Sequence, residues 1–212
     1  MNLDTNNEMH IGEGTGISEG TDTSKGTAIS EGTVGSEGNS ISEEVLSNKS
    51  GNTSPETLIK EAVDKCEKLL IGIGESFDND LKAQEAYKKI ADMVSGRDFF
   101  IISVCGDGKI EETGIDKDRI CSPEGEEMKN FDEYNEWIAR TLNRELVILE
   151  LGVGLKFPFT IRFPFEKIAF FNKKAVMFRV HDSLYQSTEE IKEKCIPVKA
   201  DPVAFVVNKM LI

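Results

Sequence analysis

The chain predicts an α/β fold, a doubly wound parallel sheet of the Rossmann-like kind behind a polar extension, and three observations carry that expectation. Two apolar runs of strand length, Leu69-Leu70-Ile71-Gly72-Ile73-Gly74 and Leu146-Val147-Ile148-Leu149-Glu150-Leu151-Gly152-Val153-Gly154, each end in closely spaced glycines. A third run, Phe99 to Val104, is apolar throughout, as expected of a strand buried on both faces. Between the runs, apolar residues recur at helical spacing, so strand and helix alternate from Pro55 onward.

Each element has a local reason. Ser54-Pro55-Glu56 is a helix start, a capping hydroxyl followed by a proline in the first turn, and Leu58, Ile59, Ala62, Val63, Cys66 and Leu69 follow on one face. The apolar run into Gly72 is the first strand. Ala83, Ala86, Tyr87, Ile90 and Val94 form the apolar side of a helix from Lys82 to Val94 that stops at Gly96, and the Phe99 run completes a βαβ unit. A short extended piece at Arg119 to Cys121 precedes a helix at Phe131 to Leu142, and then comes the strand Leu146 to Leu151. Pro164 falls early in a helix within Ile161 to Phe171, Ala175 to Val180 is β-rich, and Cys195 to Val198 is a last short strand. Asp201-Pro202 caps a closing helix through Leu211, with Val203, Phe205, Val206 and Met210 on its apolar side.

Residues 1–54 read as a disordered low-complexity tail of Gly, Ser, Thr, Glu and Asn without an aromatic residue, and residues 55–212 as the folded domain. Within the tail, Ile17-Ser18-Glu19, Ile29-Ser30-Glu31 and Ile41-Ser42-Glu43 repeat at a spacing too short for most solenoid units. Nine acids and two bases fall at or before Pro55, more than half of the formal charge of −13. An acidic balance of this kind argues against a nucleic-acid surface. No apolar stretch is long enough to cross a bilayer, and the first ten residues lack the regions of a secretory signal, so the expected location is cytoplasmic, with neither nucleic acid nor membrane as partner. Cys66, Cys105, Cys121 and Cys195 contain no C-x-x-C pair and read as buried free thiols.

Glycines at strand ends let bare backbone N–H groups approach a phosphate, and they also serve ordinary tight turns. A wider set of residues narrows the choice. Gly72-Ile73-Gly74-Glu75-Ser76 resembles the G-A-G-x-S turn of the sirtuins, NAD-dependent protein deacylases and ADP-ribosyltransferases. Phe99 to Asp107, with Gly114 to Ile120, is similar to the family's strand ending in T-x-N-x-D and the segment that follows. Glu150-Leu151-Gly152-Val153-Gly154, with Pro158, Ile161, Arg162, Pro164 and Phe165, is similar to the E-L-G-V-G…P…I-R-x-P-F stretch of a bacterial, macrodomain-linked branch.

The resemblance implies a sirtuin/DHS-like NAD-binding domain. It assigns NAD or ADP-ribose to Gly72, Gly74, Ser76, Asp107, Gly152, Gly154 and His181, the last standing where the family has an asparagine near the adenosine ribose. It places Asp107 at the nicotinamide side and Glu124, before Gly125, at the position of the family's general base. A solvated loop carboxylate is the other reading of Glu124. Cys105 stands where the family has an asparagine that holds nicotinamide, and a thiol lacks the amide's paired donor and acceptor. The four-cysteine zinc module is absent and the loop Phe77 to Leu81 is short, so no zinc is expected and closure over a substrate is reduced. Two functions follow as expectations: an NAD or ADP-ribose binder with an impaired deacylase or ADP-ribosyltransferase site, or a catalytically inactive binding or structural module. A protein substrate or partner is left open by both. Lys156 and Arg162 could face a phosphate, while Phe157, Phe159, Phe163, Phe165, Phe170 and Phe171 read as core and interface packing, with an exposed partner surface as the alternative.

Overall fold

The computed structural model describes residues 40–49, 51–124 and 127–210. In chain order the elements are α1 (Ile41–Asn48), α2 (Pro55–Lys65), β1 (Lys68–Ile73), α3 (Ala83–Val94), β2 (Phe99–Ser103), β3 (Ile120–Glu124), β4 (Glu127–Lys129), α4 (Phe131–Ala139), β5 (Leu146–Leu151), α5 (Arg162–Phe171), β6 (Ala175–His181), β7 (Cys195–Lys199) and α6 (Pro202–Lys209). The strands form one seven-stranded sheet in the order β4-β3-β2-β1-β5-β6-β7. Every neighbouring pair is parallel except the β3–β4 hairpin, which adds an antiparallel edge to the expected parallel sheet. With β4 set aside, this is the doubly wound order, and the winding reverses between β1 and β5.

The period of two along each strand sorts the core into two layers. Leu69, Ile71, Val147, Leu149, Val176 and Phe178 face α1, α2, α3 and α6. Leu70, Phe100, Leu146, Ile148, Ala175 and Met177 face α4 and α5. Ser54 and Asp201 cap α2 and α6 through the N–H groups of Thr57 and Ala204, and a proline follows each cap. Among the described residues no helix is long and apolar enough to cross a membrane.

The expected boundary at residue 54 is corrected by α1. Ser40 and Glu43 form a reciprocal capping box that fixes the helix start, and Ile41 and Val45 are buried in the first core layer. Ile41 N–H donates to the Glu145 carboxylate, and Lys49 Nζ donates to the carbonyls of Lys192 and Cys195. Burying two aliphatic side chains contributes roughly 1.5–3 kcal/mol each, which an eight-residue helix needs because it is marginal in isolation. The two earlier copies of the Ile-Ser-Glu repeat, and the rest of the expected disordered tail through residue 39, lie outside the described residues.

The phenylalanine cluster also differs from its expected role as core. Only Phe165 is fully buried, whereas Phe157, Phe159, Phe163, Phe170 and Phe171 are exposed. One side of α5 packs on the sheet through Phe165 and Ala169, and the other side has nothing over it among the described residues. Each bare ring forgoes roughly the 1.5–3 kcal/mol that full burial would contribute.

Candidate functional site

An open α/β sheet binds ligands at the carboxyl ends of its strands, at the switch point, and both glycine turns meet there. Ile73 pairs with Leu151 as β1 and β5 end. Beyond them, Gly74 N–H donates to Leu151 O at 2.9 Å and Ser76 N–H donates to Gly152 O at 3.3 Å. A Cβ on Gly74 would fall on the Gly152 carbonyl and Val153 Cα, so glycine is required by the contact between the two turns. Gly152 has φ of 64°, and a Cβ there would lie 2.6 Å from Ser76 Cβ and 2.8 Å from Pro202 Cγ. Gly72 lies within β1, where a Cβ would sit 2.6 Å from Ile161 Cγ2 and 2.7 Å from Phe165 Cε2; its bare backbone lets α5 lie on the sheet.

Glu75 completes the closure. Its carboxylate occupies the space a Cβ on Gly154 would need, and Oε1 accepts the Lys156 N–H at 3.2 Å. Oε2 is buried without a hydrogen-bond partner. Pro202, which follows the Asp201 cap of α6, packs on Gly152. After Gly74 the chain makes only the single 3-10 turn Glu75–Phe77, and α3 starts at Ala83, so no long helix leads directly out of the first glycine turn. In this arrangement the N–H groups of Gly74 and Ser76 are taken by the Leu151 and Gly152 carbonyls, and the Glu75 carboxylate lies against Gly154.

The other expected site residues are dispersed around this crevice. Cys105 Sγ donates to Gly74 O at 3.2 Å, and burial pushes its thiol up to about 12, which keeps it neutral. Asp107 lies in the loop after β2, where its carboxylate accepts the Lys109 N–H at 3.2 Å and pairs with Lys109 Nζ at 3.1 Å. Glu124 is the last residue of β3, opposite Glu127 in the hairpin, and β2 separates β3 from β1. His181 closes β6: its Nδ1 accepts the N–H groups of Ser183 and Leu184, both at 3.1 Å. The Asp182 carboxylate lies 2.6 Å from the same nitrogen.

Arg162, one of two bases that could face a phosphate on the sequence reading, lies in a buried ion network. Glu150 on β5 and Arg179 on β6 are register partners on the α5 side of the sheet, exposed by 0% and 1%. Arg179 Nε and Nη2 donate to the two Glu150 oxygens at 2.7 and 2.9 Å, and Nη1 donates to Glu166 Oε1 at 2.8 Å. Arg162 Nη1 donates to Val153 O at 3.0 Å and to Glu150 Oε1 at 3.3 Å, while Nη2 donates to Leu184 O at 2.9 Å. Burial alone would lower the Arg179 pKa, but the facing Glu150 and Glu166 carboxylates outweigh it and leave it raised. The network ties the second glycine turn, through Val153 O, to the loop after β6. Its sequence signal was a single acid in one buried strand and a single base in another.

In comparisons with known proteins, no family model matches this chain and no curated protein matches it.

Proposed function

We propose that this chain is a cytoplasmic, Rossmann-like module with sirtuin-like motif order that does not turn over NAD and acts by binding or as a structural unit. One observation carries the reading: the Glu75 carboxylate seated on Gly154, with the two glycine turns hydrogen-bonded to each other. Deacylase or ADP-ribosyltransferase chemistry needs nicotinamide held out of water beside a base. Here the Cys105 thiol is buried against Gly74 O, and Glu124 stands on a hairpin at the sheet edge. Four free cysteines are consistent with a reducing compartment.

The test is nicotinamide release from NAD, with and without an acetyl-lysine peptide. The expected rate is background; turnover that collapses in Glu124→Ala overturns the reading. A second reading, binding of NAD or ADP-ribose, is favoured by the position of both glycine turns at the switch point. It requires the turns to part, and a ligand-dependent rise of the wild-type melting midpoint at millimolar ADP-ribose would establish it.

A further inference from the structure

Helix α5 is apolar on two sides. Phe163, Lys167, Phe170 and Phe171 recur at i, i+4, i+7 and i+8, so they form one stripe, and all four are exposed. The stripe continues into the preceding loop, where Phe159, 81% exposed, meets Phe163 edge to face at 5.2 Å between centroids. At its far end it borders a groove of about 290 Å³ between α4 and α5, lined by Ile138, Leu142, Ile168 and Phe171 and flanked by Lys167.

Charge selects the occupant. Between residues 155 and 174 the exposed charged side chains are Lys156, Lys167, Lys173 and Lys174, and the only acid, Glu166, is bonded to Arg179. Lys174 pairs with Glu145 at the rim. A basic aromatic strip thus stands on a chain of net charge −13. A second copy packed face to face would set the Lys167 stripe against itself, an unfavourable like-charge contact. An anionic bilayer or a nucleic acid is an extended polyanion that also meets the acidic remainder of the molecule. A short segment touches the strip alone.

We infer that the outer face of α5 and the α4–α5 groove bind an amphipathic helix of another protein, one that carries acidic residues beside its apolar anchors. Apolar anchors at helical spacing enter the groove and lie along the phenylalanines, while the acids meet Lys167 and Lys173.

The test uses the full chain and a fluorescein-labelled synthetic helix of roughly 18 residues, with leucines at i, i+3 and i+4 and glutamates between them, beside a twin carrying lysines for glutamates. By anisotropy the acidic peptide is expected to bind at least about tenfold more tightly than its twin, and less tightly as salt rises. The double variant Phe163→Ser/Phe171→Ser is expected to lose binding with an unchanged melting midpoint, and Lys167→Glu to narrow or reverse the preference. Equal binding of the twins, or none, overturns the inference. So does a sedimenting dimer dissolved by Phe171→Ser, or cosedimentation with phosphatidylserine vesicles that outcompetes the peptide.

Discussion

The strand switch point and the outer face of α5 invert each other. At the switch point, backbone that this architecture commonly leaves for a ligand is covered by the chain's own atoms: Gly74 on the β5 turn, Glu75 on Gly154 and Pro202 on Gly152. On α5, rings of the kind that usually make a core stand in solvent, with Phe171 67% exposed. The position of a site within a fold and the availability of that site are separate properties. Availability follows from which groups are already satisfied.

The largest effect tests the covered region. Arg179→Met leaves Glu150 and Glu166 facing each other without their shared partner, and removing one side of a buried ion cluster costs roughly 3–5 kcal/mol. Urea unfolding should show a loss of that order, and a loss below about 1 kcal/mol would mean that Arg162 alone neutralises the pocket. Next is Gly74→Ala, whose methyl meets backbone that cannot swing aside, an overpacking cost of roughly 1–3 kcal/mol. An unchanged midpoint would mean that the turns already stand apart in solution.

Glu75→Ala sharpens the comparison with a smaller change in stability, because it removes a buried oxygen that has no partner along with one hydrogen bond to Lys156 N–H. The expected result is a midpoint raised by ADP-ribose in the variant and not in the wild type. If neither responds, the glycine turns serve packing alone. The smallest effect is on the thiols. Burial raises Cys105 from 9.0 to about 12 and pushes Cys195 up to about 11. The neutral thiol is therefore favoured by folding: this stabilisation is complete below pH 9 and is lost as pH rises from there toward the folded values. Iodoacetamide at pH 8 should label these two residues only after unfolding, and rapid native labelling would show that the crevice opens readily.

The contrast also explains what the sequence made legible. Strand cores and long amphipathic helices were readable because periodicity is local, and α2, α3, β2 and β5 lie within a few residues of their expected spans. The helix α1 was not, since its eight polar-rich residues gain their stability from β6 and Glu145, far away in the chain. The glycine turns were located, but Gly-x-Gly has the same appearance whether a phosphate or another turn approaches. Glu150 and Arg179 become partners only once the register of two strands is fixed. An apolar helix reads as core from composition, and the absence of cover on α5 is a property of the fold around it.

The contact of Pro202 with Gly152 sets an order of events during synthesis. The first glycine turn is made early, around residue 74, and its partner about eighty residues later. Neither reaches its final packing until the residue at 202 has been added and α6 has swung back over the sheet. At roughly 5–20 residues per second, the nascent domain spends several seconds with both turns formed or forming and their backbone still uncovered. During that interval neither turn has the cover that Pro202 gives to Gly152 in the folded molecule.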